Sequence, residues 1–282
     1  MPYPILTLPY PFVKRLRQLL DPFELKELQR AAGPYVRNEL KPIVKSCKKD
    51  FINICSKDKN DYDVDWLHMK IKIPEVNQFL IDCTTELKFY HMTNSNFEKP
   101  TITQVFIKAD IIRFLSCRIS NAMLRNVLKI AIRPWYLDFR YSNTGIDEDV
   151  TFSTIVDIFP SVKCITMGKA YFGWLDDLIN TRKRLDAVEI FHDNFDELFS
   201  FKPADLYDYF RAQYPPFWFL LTYRVNANRY PWIINMMQKF IDSRFDVLEN
   251  IFPRHHISKL VFRVQLLHHA QTKKDYRYYC KN

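Results

Sequence analysis

The sequence predicts an α/β protein, on three observations. Strand-like and helix-like segments alternate through its second half, the strands recur at near-constant intervals, and the first 45 residues follow a helical pattern. The 282 residues are 48% hydrophobic and 16% aromatic, enough large side chains for a sizeable core and unlike a disordered chain.

The first helix is written by Phe12, Val13, Leu16, Leu19 and Leu20, with Lys14, Arg15, Arg17 and Gln18 on the other side. Asp21-Pro22-Phe23-Glu24 restarts the chain: Asp21 caps, Pro22 suits a first turn and Glu24 takes the capping-box position. Phe23, Leu25 and Leu28 form that second helix's stripe. Gly33-Pro34 punctuates, and Tyr35, Val36, Leu40 and Val44 predict a third helix. Three helices this short bury little alone, so some faces must meet a partner or the next domain.

From residue 50 the pattern changes. Ile52–Ile54 and Met69–Ile73 alternate like strands around the charged turn at 57–61, and Asn121–Lys129 reads as a helix after mixed strands. Strands are then expected at Trp135–Tyr141, Val162–Met167, Leu185–Phe191, Phe217–Tyr223 and Lys259–Val264. Helices are expected at Val150–Phe159, Phe172–Arg182, Ala204–Gln213 and Tyr230–Phe252. Leu137, Ile165, Ile190 and Leu220 follow one another at intervals of 28, 25 and 30 residues, close to the period of leucine-rich repeats. Leu185-x-x-Val188-x-Ile190 and Ile257-x-x-Leu260-x-Phe262 match that repeat's strand core, but Asp193 and Gln265 stand where its asparagine belongs. The expectation is a three-helix module at 5–45, an irregular leucine-rich-repeat-like α/β solenoid at 50–270 and a basic tail at 271–282. An ordinary α/β layer fold is the alternative.

Several functions are excluded by what is missing. Four glycines in 282 residues fall far below the usual ~7%. Gly168 and Gly173 have Walker A spacing, but Trp174 and Leu175 occupy the Lys and Ser/Thr positions. The adjacent pairs His255-His256 and His268-His269 lack zinc-ligand spacing, and Asp176-Asp177 with Arg182-Lys183-Arg184 reads as a solvated helix face of ion pairs. His192-Asp193 follows a strand with no identifiable nucleophile. No enzyme, cofactor or metal is expected.

The net charge of +9 sits at the ends: residues 1–50 carry +5 and the last 32 carry +6. A groove tracking phosphates needs its charge on the folded body, so nucleic-acid binding or plain scaffolding through basic termini is the alternative function. No signal peptide, membrane span or prenylation box is recognisable, and the six scattered cysteines read as reduced thiols of an intracellular protein, cytoplasmic or nuclear.

Leu8-Pro9, the stripe Val13, Leu16 and Leu20, then Asp21-Pro22, Leu25 and Leu28, together resemble an F-box. The remainder resembles the F-box-associated regions of the family of F-box proteins expanded in nematodes, with Ile155–Pro160 leading into Val162–Met167 typical of their texture. Where that family carries Ser or Cys followed by Lys and Arg after the second helix, this chain has Ala31-Ala32-Gly33-Pro34. The resemblance implies docking on a Skp-type adaptor, and through it a cullin, by Leu8, Pro9, Val13, Leu16, Leu20, Pro22, Leu25 and Leu28. The domain that follows would capture a protein substrate. Alternatively the three helices merely cap the first repeat.

Strand alternation then nominates a substrate face. With Trp135, Leu137 and Phe139 inward, Tyr136, Asp138 and Arg140 face out. Glu189 and Phe191 do so beside the core residues Val188 and Ile190, and Thr166, Thr222, Arg224 and Arg263 extend the surface.

Overall fold

The computed structural model describes residues 15, 19–20, 22–31, 45–56, 64–67, 79–98, 102, 105–225, 232–233, 235–236, 239, 241, 243–247, 259–266 and 273–280. Leu8, Pro9, Val13 and Leu16 lie outside them, as do the expected third helix at 35–44 and the expected strand at 69–73. Of the N-terminal module, the second helix is present as α1 (Pro22–Ala31), on which Leu25 and Leu28 are half-buried.

Twelve strands form one mixed, mostly parallel sheet, accompanied by six α-helices among the described residues. The strands are β1 (Lys45–Ser56), β2 (Val64–Leu67), β3 (Phe79–Tyr90), β4 (Val105–Leu115), β5 (Ala131–Ile132) and β6 (Tyr136–Tyr141). They continue with β7 (Cys164–Met167), β8 (Ala187–His192), β9 (Trp218–Val225), β10 (Phe245–Val247), β11 (Lys259–Leu266) and β12 (Lys273–Cys280). Their spatial order is β10-β12-β11-β9-β8-β7-β6-β4-β3-β1-β2, with the short β5 beside β4. From β1 to β11 every neighbouring pair on this path is parallel, while β2 at one end and β12 and β10 at the other are antiparallel. Parallel pairing follows from the connections, since a helix-length crossover returns the chain to the same edge of the sheet.

The crossover helices are α2 (Asn121–Ile130), α3 (Phe152–Ile158), α4 (Trp174–Asn180), α5 (Phe195–Leu198) and α6 (Pro203–Ala212). Their starts are encoded locally. Ser120 and Asn194 cap α2 and α5 through side-chain oxygens, Thr151 and Thr154 build a reciprocal capping box on α3, and Pro203 opens α6. Gly173, at φ 77°, supplies the left-handed residue before α4 that a side chain would strain. Gly168 answers a different need, because a Cβ there would meet the Phe139 carbonyl oxygen at 2.6 Å. The Gly168–Gly173 spacing is thus explained by backbone geometry.

One face of the sheet carries the core. Ile52, Leu87, Ile112, Leu137, Ile165, Val188, Phe219, Leu260 and Tyr278 are register partners across nine strands, and all are buried. The buried residues of α2 to α6 join the same cluster, so these helices cover this one face. Phe89, Phe114 and Phe139, at equivalent places on β3, β4 and β6, stack at 5.5 and 5.0 Å between centroids. Behind them the turns are cross-linked. Cys117 Sγ donates to the Phe89 carbonyl at 3.3 Å, and Ser142 Oγ donates to the Phe114 carbonyl at 3.0 Å while accepting the Cys117 N–H at 3.0 Å.

Three expectations need correction. The segment read as a basic tail, 271–282, contains β12, which pairs with both β11 and β10; its alternating Asp275, Tyr276, Arg277 and Tyr278 fit a strand. β10 falls inside the expected helix at 230–252, because Phe245 is drawn into the core against Tyr207 and Phe210. The second domain begins before residue 50, since β1 starts at Lys45.

Candidate functional site

The other face of the sheet is left without a helical layer among the described residues. Parallel strands are usually covered on both sides, so the composition of this second face is informative. Period-two alternation decides what it displays. Asn53, Lys88, Arg113, Asp138, Thr166, Glu189, Leu220, Val261 and Arg277 form one row of register partners across it, and Phe191, Thr222, Arg263 and Asp275 form part of another.

The polar members of these rows are tied together. On β3 and β4, Glu86 pairs with Lys88 and lies 3.0 Å from Arg113 Nε. Asp138 is wholly buried. Its Oδ1 accepts the Arg140 backbone N–H at 3.0 Å, and its Oδ2 lies 3.7 Å from the Arg140 guanidinium and 3.9 Å from that of Arg113. Arg140 also donates to Glu189 at 3.0 Å, while the Tyr136 hydroxyl meets Thr166 Oγ1 at 2.9 Å and Thr166 reaches Glu189 at 3.4 Å. At the far end Arg263 forms a two-pronged pair with Asp275 at 2.7 and 3.1 Å, with Arg277 at 3.8 Å from the same carboxylate. Burial pushes the Glu189 carboxyl above its usual range, against the pull of Arg140. Arg140 loses basicity to burial, but Asp138 and Glu189 more than restore it.

An apolar patch lies within this charged lattice. Phe191, Leu220 and Val261 are a buried cluster of their own, separate from the core on the helical side. The Phe191 ring has the Arg140 guanidinium 4.6 Å from its centroid and that of Arg224 5.6 Å away. Toward the amino ends of the strands, Trp218 stands 41% exposed.

The sequence-nominated residues Tyr136, Asp138, Arg140, Thr166, Glu189, Phe191, Thr222, Arg224 and Arg263 are therefore gathered on one face, as alternation requires. Their exposure differs from expectation. Phe191, Asp138, Thr166 and Thr222 are buried, because arginine stems and neighbouring strands roof them over. Trp135, expected inward, is 38% exposed because β6 begins one residue later and Trp135 precedes its alternation. Glu86, Lys88, Arg113, Trp218 and Asp275 belong to the same face and were missed. The spacing Glu86-x-Lys88 and the charge at Arg113 would have found them had β3 and β4 been placed in register.

No catalytic set accompanies this face among the described residues. His192, at the end of β8, places Nε2 2.7 Å from Glu197 and Nδ1 3.7 Å from Asp193, and no nucleophile joins them. On the helix face expected to carry solvated ion pairs between Asp176-Asp177 and Arg182-Lys183-Arg184, Asp177 accepts hydrogen bonds from the Tyr171 hydroxyl at 2.5 Å and the Ser153 N–H at 3.1 Å. No described helix is long and apolar enough to cross a membrane. Compared with protein-family models, with curated proteins and with solved structures, the chain finds no match in any of the three.

Proposed function

We propose that the chain is a non-catalytic receptor that presents protein substrates to an SKP–cullin–F-box ubiquitin ligase inside the cell. In this reading the N-terminal helices dock the Skp-type adaptor, and the α/β domain, an irregular leucine-rich-repeat-like solenoid, holds the substrate on its open sheet face. The observation that carries it is that face: a mostly parallel sheet layered, among the described residues, by helices on one side, whose other side mixes arginines, carboxylates and aromatics. Such a mixture suits a protein partner. Glu86, Asp138, Glu189 and Asp275, spread among the cations, work against a polyanion lying along it. The adaptor half rests on the resemblance of residues 5–45 to an F-box.

The test is affinity purification of the intact chain. The adaptor and a cullin co-purify, and Leu16→Asp abolishes both by placing a charge in an apolar contact. Retention of the adaptor by Leu16→Asp, with the chain folded, would overturn the F-box reading. Replacing Tyr136, Arg140 and Phe191 together with Ala leaves the adaptor bound and releases client proteins. Clients unaffected by this triple change would remove the open face from substrate capture.

A further inference from the structure

The charges on the open face are nearly self-sufficient, and the exception is Arg224. It lies on β9, two residues beyond Thr222 on the same side, and is half-buried. Arg113, Arg140, Arg263 and Arg277 each have a carboxylate within ion-pair distance. Arg224 has none among the described residues: its guanidinium rests 5.6 Å from the Phe191 ring centroid and shares that ring with Arg140. Burial and the nearby Arg140 both weigh against its charged form, opposed in part by the carboxylate of Asp193. Beside it the hydroxyl of Thr222, fully buried, also lacks a hydrogen-bond partner.

A half-desolvated guanidinium held over an aromatic ring, with its donors unfilled and a second cation close by, is complementary to an anionic group approaching from the open side. The surroundings define what carries that group. A polyanion would find the carboxylates of Glu86, Glu189 and Asp275 paired with the neighbouring arginines, which interrupts any continuous run of positive charge. Phe191, Leu220 and Val261 lie buried beneath, and the exposed apolar contact is the Trp218 ring farther along β9.

Resting on the reading of the open face as the substrate site, we propose that the partner is an unmodified polypeptide segment that places one Asp or Glu carboxylate on Arg224 and an apolar side chain, to one side of it along the chain, on Trp218. Arg224 then selects substrates by an isolated acid at a set distance from an apolar residue.

The probe is a display library of random, unmodified dodecapeptides, selected on the full chain, with affinities of recovered peptides measured by fluorescence anisotropy. Wild type enriches an Asp or Glu at one fixed position, with an apolar residue at a fixed distance on one side of it. Arg224→Gln weakens the recovered peptides about tenfold, the scale of one charge-assisted hydrogen bond. Arg224→Glu shifts the enriched position to Lys or Arg, which a merely structural role for Arg224 would not do. A consensus without an acid, or one indifferent to both variants, overturns the proposal. So does a self-association of the chain, or a binding of polyuridylate, that Arg224→Gln abolishes. The triple variant at Tyr136, Arg140 and Phe191 separates the two levels. Peptides that ignore it refute the open face altogether, whereas peptides that respond to it but not to Arg224→Gln refute the acidic anchor alone.

Discussion

Asp138 has no solvent of its own, and its carboxylate faces two arginines. Arg140 is the nearer cation and also holds Glu189, so one side chain serves two acids. Replacing Arg140 with Met should cost about 2 kcal/mol, below the ~3–5 kcal/mol for breaking a fully buried pair, because Arg113 stays beside Asp138 and Arg140 is itself partly wet. Urea unfolding at neutral pH checks this, and a loss below roughly 0.5 kcal/mol would contradict it. Glu189 sets a pH dependence of opposite sense to the usual salt-bridged acid. Its folded-state pKa lies above the unfolded one, so the folded chain holds this proton more tightly, and the contribution is fully present below about pH 4.3 and lost as pH rises through the folded value. Wild type should therefore gain on Glu189→Gln as pH falls from 7 towards 4, measured by parallel urea titrations. At this scale the sequence was informative about direction and poor about exposure. Alternation placed nine residues on one face, but it is silent on whether a neighbouring arginine will lie across Phe191 or leave it bare.

The elements are joined by devices that sequence motifs do not advertise. Repeats of this period expect an asparagine to bridge successive turns, and at the positions inspected there is none. In the structure Cys117 and Ser142 do that work, one turn after β4 and one after β6. His91 and Ser116 take equivalent left-handed conformations just after β3 and β4, at φ 54° and 53°, and donate backbone hydrogen bonds to the carbonyls of Leu115 and Tyr141, the last residues of β4 and β6. Ser142→Ala should cost about 1–3 kcal/mol, since it strips the buried Cys117 N–H and the Phe114 carbonyl of a partner. Ser142→Thr, which keeps the hydroxyl, tests whether the loss is one of bonding. Helices and short strands from 121 to 225 were legible because capping residues and apolar spacing agree there. Of β1 only Ile52–Ile54 was legible, and β3 and β4 were not delimited, because irregularities at Lys49/Phe51 and Cys83/Glu86 break the alternation that a strand reading depends on.

On the scale of the whole molecule, the parallel array needs ends, and antiparallel strands supply them. β12 covers the edge of β11, buries Tyr278 and completes the Arg263–Asp275 pair. A chain ended at Leu266 exposes that edge and the Leu260 side of the core, and should self-associate where the full chain does not; size-exclusion chromatography at matched concentration decides it. The basic charge of the last residues concealed this strand, since composition alone made a tail of it. The strand order has a mechanical consequence. From β3 through β4, β6, β7, β8 and β9 to β11, each strand's neighbour is a strand close to it along the chain. Tension between the two ends of this array pulls across the sheet, so it loads the ladders one at a time and not all together in shear. Under load the chain peels strand by strand, each step releasing the roughly 25–30 residues of one strand and its crossover. A pulling protease motor would meet a succession of small barriers in place of one large one.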